Sequence, residues 1–235
     1  MARPQKTAEV GAVHRTLLLD GAAQLGVSLS ENQVDKLLEY LALLAKWNKT
    51  YNLSAIRDSV QMVGRHLLDS LSVVPCVQAC GGKRIIDVGT GGGLPGIVLA
   101  IVFPDRHLTL LDSNGKKTRF LFQVKTQLQL DNVQIENRRV EEYQPDLRYS
   151  AVISRAFASL QDMTEGCEHL LTDDGLFLAM KGVYPTDELS GLEKRYKVSD
   201  SHQLQVPGEE GERHLLVLSR EVQPREQPEL ASPTV

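Results

Sequence analysis

Asp87 opens the run DVGTGGGLPG (87–96), in which glycines at 89, 91, 92 and 93 follow an acid at the end of a short apolar stretch. Glycine allows positive φ and lets a ligand approach the backbone without a Cβ in the way. The run therefore reads as a strand, a tight turn and a helix start, with Pro95 suited to the first helical turn. Free backbone N–H groups at such a turn are how α/β sheets hold nucleotides. Asp112 lies at the spacing, about 20 residues on, where an acidic side chain accepts hydrogen bonds from a ribose diol. These features call for a ribose-containing ligand. A nicotinamide dinucleotide meets the same need, but its G-x-G-x-x-G fingerprint has no opening acid, and Gly89, Gly91 and Gly96 fit it less well.

The elements that must position these residues follow from periodicity. Val13, Leu17, Leu18, Ala22 and Leu25 fall at helical spacing and are closed by Gly26, after a polar and frayed first ten residues. Ser30 and Gln33 form a capping box before a stripe of Val34, Leu37, Leu38, Leu41, Leu44 and Ala45. Trp47, in the polar and aromatic stretch that breaks this period, reads either as a hydrophobic anchor or as a functional aromatic. A third helix starts near Asp58 and carries His66 and Asp69, three apart on one face, which reads as a structural hydrogen-bonded pair. Gly81-Gly82 separates this helical amino-terminal extension, 1–82, from an α/β body over 83–220.

In the body, strands at 85–88, 108–111, 133–135, 151–153 and 176–180 alternate with helices at 95–102, 116–128 and 160–170. Such alternation predicts a mostly parallel sheet with helices on both faces. A helix over 186–195, a strand at 204–206, a Gly-Glu-Glu-Gly-Glu turn and a strand at 215–218 predict a terminal antiparallel hairpin. The Pro-rich tail, 221–235, is expected to be disordered.

Composition narrows the class. The chain has 235 residues, 42% hydrophobic and 24% charged, as expected of an ordinary globular protein. Cys76, Cys80 and Cys167 form neither a disulfide framework nor a metal-ligand pattern, so no metal is expected and a reducing, cytoplasmic setting is the natural reading. No apolar run approaches the length of a membrane span, and no signal peptide is read at the amino terminus. The net charge of −4 opposes indiscriminate nucleic-acid binding but leaves room for a local basic patch.

The D-x-G-x-G-x-G spacing resembles the first motif of class I S-adenosylmethionine-dependent methyltransferases. Taken with WNKTYNLSAI (47–56), RHLLDSL (65–71), LLDSNGKKTRFL (110–121), SRAFASL (154–160), MKG (180–182) and ERHLLVL (212–218), it resembles the RsmG (GidB) family, whose members methylate N7 of a guanine in the 530 loop of 16S ribosomal RNA. The resemblance implies a Rossmann-like α/β fold with a seven-stranded sheet, and S-adenosyl-L-methionine as cofactor. It further implies that Gly89, Gly91, Gly93 and Leu94 wrap the methionine part and that Asp112 holds the ribose. Val140 and Glu141 would lie on the adenine side, with Arg155 at the edge between cofactor and substrate. Gly92 stands where some relatives carry proline, which is expected to loosen the turn.

The chemistry fits what the sequence lacks. Exocyclic-amine methylation usually relies on an Asn/Asp-Pro-Pro-aromatic motif, but strand four ends Ser154-Arg155-Ala156-Phe157; pyrimidine C5 methylation needs a cysteine, and none is so placed. Guanine N7 has an exposed lone pair and loses no proton, so alignment and donors to O6 and phosphate suffice. Arg155 and Lys181, at carboxyl ends of strands, would position the substrate, and no residue is assigned a catalytic proton transfer. Lys116, Lys117, Arg119, Arg139, Lys181, Arg213 and His214 would bind RNA, with solvated charge as the alternative for each. Phe157 would stack on an extruded base or lie buried. The partner expected is 16S rRNA, free or within the small ribosomal subunit, met by a monomer. A small-molecule methyltransferase, an NAD-dependent oxidoreductase and a non-catalytic rRNA-binding factor are the alternatives.

Overall fold

The computed structural model describes residues 10–155, 157–192 and 195–221. Five strands, β1 (Arg84–Val88), β2 (His107–Leu111), β3 (Val133–Glu136), β4 (Tyr149–Ser154) and β5 (Leu171–Lys181), pair in parallel. β6 (Tyr196–Gln203) and β7 (His214–Arg220) complete a seven-stranded sheet in the order β3-β2-β1-β4-β5-β7-β6, with β7 antiparallel to both neighbours. Consecutive apolar residues in β1 and β4 follow from cover on both faces. Ile85 and Ile153 enter the core on one face, and Ile86 and Val152 that on the other.

Helices α6 (Gly96–Val102) and α7 (Gly115–Leu128) contribute to the first core, and α8 (Leu160–Cys167) with the 3-10 turn Glu168–Leu170 to the second. The amino-terminal helices α1 (Ala12–Gln24), α2 (Glu31–Tyr51), α3 (Ser59–Met62), α4 (Asp69–Leu71) and α5 (Val74–Ala79) join the first core, and a π-helical turn, Val63–Leu68, links α3 to α4. Leu37, Leu41, Leu44, Leu67 and Leu71 belong to the same cluster as Ile97, Leu110 and Phe120. Each such leucine contributes about 1.5–3 kcal/mol by leaving water. Among the described residues no helix is long and apolar enough to cross a membrane.

The α2 cap forms as expected: Ser30 Oγ accepts from the Gln33 N–H at 3.3 Å, and Gln33 Oε1 accepts from the Ser30 N–H at 2.9 Å. The Gln33 amide also donates to the carbonyls of Ile101 and Val102, pinning α2 to the last turn of α6. Leu38 and Ala45 prove half-buried, while Tyr40 is fully buried. Trp47 does not break the helix, which runs to Tyr51; it stacks on Tyr51 and tilts against Phe120, an anchor between α2 and α7.

Five expectations are corrected. In α1 the buried face is His14, Leu18, Gly21 and Ala22, with Val13 and Leu17 exposed. His14 turns inward because Nδ1 accepts from the Gly11 N–H and the other ring nitrogen bonds Ser59 Oγ. The helix expected over 186–195 is the short α9 (Thr186–Leu189), with residues 193–194 outside the described ones. The hairpin exists, but its first strand is β6, not 204–206. β6 is a mostly polar edge strand whose only inward apolar residues are Tyr196 and Val198, whereas Leu204 and Val206 are buried in the loop after it. Fourth, strand five is eleven residues long and begins at Leu171. Last, His66 and Asp69 do not pair with each other, as described below. The frayed start and the tail fall largely on 1–9 and 222–235, outside the described residues.

Candidate active site

The loop after β1 is braced from beneath by Asp87. Its Oδ2 accepts from Thr90 Oγ1 at 2.7 Å and from the Gly96 N–H at 2.8 Å, closing the turn at both ends. Burial pushes this carboxyl up to about 6, against the pull of those two donors. Asp87 is thus a loop brace. Gly91 and Gly93 have φ of +62° and +96°, which side chains rarely adopt. At Gly93 a Cβ would also fall 2.5 Å from Ile97, so that glycine lets the loop seat on α6. A Cβ at Gly91 would meet only the Gly89 carbonyl, at 3.9 Å.

Asp112, just past β2, faces the loop. Its Oδ2 accepts from the Gly91 N–H at 2.9 Å, its Oδ1 from the Asn114 N–H at 2.8 Å, and Lys117 Nζ lies 3.6 Å away. Asn114 also caps α7, so one short segment fixes both the carboxylate and the helix that follows. The far side of the loop is held by Tyr40, whose hydroxyl donates to the Gly92 carbonyl at 2.7 Å. Complete burial raises this phenol's pKa, keeping it a donor. The sequence reading passed over Tyr40 because it belongs to α2, far away along the chain.

A cavity of about 470 Å³ opens over the carboxyl ends of β1 and β2. Gly89, Asp112, Lys117, Arg139, Val140 and Glu141 line it together with the apolar Val88, Leu111 and Phe157. Gly91 reaches it through Asp112, whereas Leu94 is buried in the core with its N–H on the Thr90 carbonyl. A carboxylate, backbone around Val140 and an apolar wall fit a nucleoside, and the volume lies in the small-ligand range.

A second cavity, of about 320 Å³, lies beyond β4 and β5. Ile56, Arg65, His66 and Asp69 come to it from the amino-terminal helices, and Arg155, Met180, Lys181, Gly182, Leu204, Arg213 and His214 from the sheet end. The pairing expected between His66 and Asp69 is absent. His66 Nδ1 donates to the Arg65 carbonyl at 2.9 Å, leaving Nε2 to accept from Ser54 Oγ at 2.7 Å. Burial lowers the His66 pKa, and the charges of Arg155 and Arg65 lower it further. Asp69 instead accepts from Arg155 Nη1 at 3.0 Å on Oδ2 and from Arg213 Nε at 3.2 Å on Oδ1. The motif RHLLDSL gave these residues, but not their partners.

The basic residues do not form one uniform face. Lys116, Arg119 and Arg139 are exposed and make no ion pair among the described residues. Lys181 is largely buried; its ammonium meets both Glu188 oxygens, at 2.9 and 3.0 Å, and the carbonyls of Phe157 and Ala158. Glu188 also accepts from the Leu160 N–H, so Lys181 fastens the loop after β4 to the start of α8. His214 is buried beside Glu212, with Tyr184 edge-on to its ring. Lys181 and His214 thus each meet a carboxylate within the protein.

Residues 33–216 match the family model GidB, rRNA small subunit methyltransferase G. The chain is 60% identical over 212 residues to the ribosomal RNA small subunit methyltransferase G of Cellvibrio japonicus, covering 89% of this chain and 97% of that one. It is 56% identical over 209 residues to that of Ectopseudomonas mendocina, with 89% and 97% covered. Among solved structures, TrmN from Thermus thermophilus superposes with a TM-score of 0.53 at 12% identity, over 68% of this chain and 53% of that one, a likeness of fold.

Proposed function

The chain belongs to the GidB family of small-subunit rRNA methyltransferases, and from that premise we propose that it transfers the methyl group of S-adenosyl-L-methionine to N7 of a guanine in the 530 loop of 16S rRNA. The observation that carries the reading is the join between the Gly91 N–H and the Asp112 carboxylate at the mouth of the larger cavity. Each Asp112 oxygen takes one protein donor and keeps a lone pair for a ribose hydroxyl. Gly89, Val140 and Glu141 line that cavity; in this reading Val140 and Glu141 border the adenine, and Gly89, with Gly91 bonded to Asp112, the methionine part.

Held beside Asp112 and Gly89, S-adenosylmethionine would supply an electrophilic methyl group to the guanine N7 lone pair, with S-adenosylhomocysteine leaving and no proton lost from the ring. No general base is required of this chain. Its residues need to hold two reactants in line, and such alignment is worth up to about 7–11 kcal/mol. Arg155 and Lys181 set the edge between the cavities: Arg155 lines the smaller, Phe157 the larger, and Lys181 holds the Phe157 carbonyl. In this reading the extension, 1–82, supplies one wall of the substrate site to the methyltransferase domain, 83–220. The protein works as a cytoplasmic monomer on 16S rRNA, free or within the small subunit.

Methyl transfer from labelled S-adenosylmethionine to small subunits lacking the modification tests the reading. The label is expected in one N7-methylguanosine, mapped by reduction and aniline cleavage to the 530 loop. Label on an exocyclic amine, on another loop, or on no rRNA overturns it.

A further inference from the structure

A carboxylate is out of place on a surface built to meet phosphates. Asp69 lines the smaller cavity with Arg65, Arg155, Lys181 and Arg213, and its side chain is only 9% exposed. From this arrangement we propose that Asp69, set beside Arg155, reads the O6, N1–H and N2–H2 edge of the target guanine and so determines which base is methylated. The inference rests on the methyl-transfer reading above and names how that site selects its substrate.

Location comes first. Arg155 in the smaller cavity and Phe157 in the larger are two residues apart, and the Arg155 charge also acts on Asp87 beneath the glycine loop. The smaller cavity is therefore next to the methyl donor's place. Ile56, Met180 and Leu204 give it apolar surface for the faces of a ring. A base reaches such a cavity by leaving its stack, as bases do for enzymes that act on them.

Hydrogen-bond polarity comes second. Guanine presents the acceptor O6 and then the donors N1–H and N2–H2, whereas adenine presents a donor at N6 and an acceptor at N1. Asp69 accepts one N–H on each oxygen, from Arg155 and Arg213, and retains lone pairs on both. A guanidinium beside a carboxylate thus offers a donor to O6 and acceptors to N1–H and N2–H2. Adenine would set its amine against the arginine and its N1 lone pair against the carboxylate. N7, on the other side of O6 from N1, stays open to the methyl group. The backbone adds to the placement: Asp69 follows the π-helical turn, its N–H bonded to the Gly64 carbonyl five residues back. Such turns recur at functional sites.

A purely structural arginine clamp would also use Asp69, and base analogues separate the two roles. Synthetic 530-loop substrates carry guanine, inosine, which lacks N2–H2, or 2-aminopurine, which lacks O6 and N1–H; all three keep N7. Wild-type kcat/KM is expected to fall about tenfold or more on inosine, and further on 2-aminopurine. Asp69→Asn, verified as folded by circular dichroism and melting, is expected to bring the guanine-to-inosine ratio within about threefold, as the N2 contact is lost with one acceptor. If that variant does not fold, Asp69→Glu, which displaces the charge by one methylene, must lower the ratio in the same direction. Equal wild-type rates on guanine and inosine, or an unchanged ratio in the variants, overturn the role of Asp69. Failure of the wild type to methylate guanine N7 at all overturns the proposed function instead.

Discussion

Two aspartates on neighbouring strands do opposite work, because one is buried and the other faces a cavity. Asp112 keeps acceptor capacity toward the cavity, and Asp112→Asn replaces one of its oxygens by a donor. The variant is expected to raise the KM for S-adenosylmethionine about tenfold, the worth of one charge-assisted hydrogen bond, with kcat changed less. Steady-state kinetics check it. Asp87 has its carboxyl raised from 3.8 to about 6, so between these values the folded chain holds a proton that the unfolded chain has lost. Stability from this group is complete below pH 3.8 and falls as pH rises through 6, by about 3 kcal/mol. In Asp87→Asn, one amide oxygen still serves Thr90 and Gly96, and that loss is absent. Urea melts from pH 4 to pH 7 should show the variant gaining on the wild type by up to about 3 kcal/mol; parallel curves would count against a raised carboxyl. The glycine loop and Asp112 were legible because their function is local and follows from spacing. Asp87 was legible as important but not as a brace, since its partners Thr90 and Gly96 are set by how the turn closes.

At the scale of elements, the loop depends on a helix of the amino-terminal part, 52 residues earlier in the chain. Tyr40 of α2 donates to the Gly92 carbonyl of that loop. Tyr40→Phe leaves this carbonyl without its donor in a buried place, which costs about 1–3 kcal/mol. A lower melting temperature and weaker cofactor binding by calorimetry are expected together; loss of stability with unchanged affinity would separate the helix from the loop's function. Amphipathic periodicity identified α2 and its capping box, because a stripe of apolar residues is a one-dimensional signal. It includes Leu38 and Ala45 and omits Tyr40, since a tyrosine pointing at a distant carbonyl leaves no periodic trace. The edge strand β6 was misplaced for a related reason: its sequence YKVSDSHQ has no apolar alternation past Val198, and it is held by pairing with β7. Buried Leu204 and Val206 took its place in the reading because burial in a loop looks the same in sequence as burial in a strand.

For the whole molecule, the question is how a chain of net charge −4 binds a polyanion. Internal pairing answers much of it. Lys117, Arg155, Arg213 and Lys181 spend their charge on Asp112, Asp69 and Glu188, where they fix geometry. Lys116, Arg119 and Arg139 are exposed around the larger cavity's rim or beside it and pair with no carboxylate among the described residues. In the proposed reading these three, beside the candidate site, displace counterions from phosphate. Each contact to single-stranded or looped RNA contributes a slope of about 0.7 to 0.9 in log affinity against log salt. Replacing all three by alanine is therefore expected to lower the steepness of that plot by about 2 units and to weaken binding most at low salt. Arg213→Ala, in contrast, removes a charge that is already matched and should change the slope by well under one unit while lowering kcat. Filter binding of 530-loop RNA between 50 and about 300 mM salt measures both. A triple variant with the wild-type slope would move the phosphate contacts elsewhere, whereas the expected pattern divides the basic residues by function: unpaired ones gather the RNA, and paired ones hold the base in line.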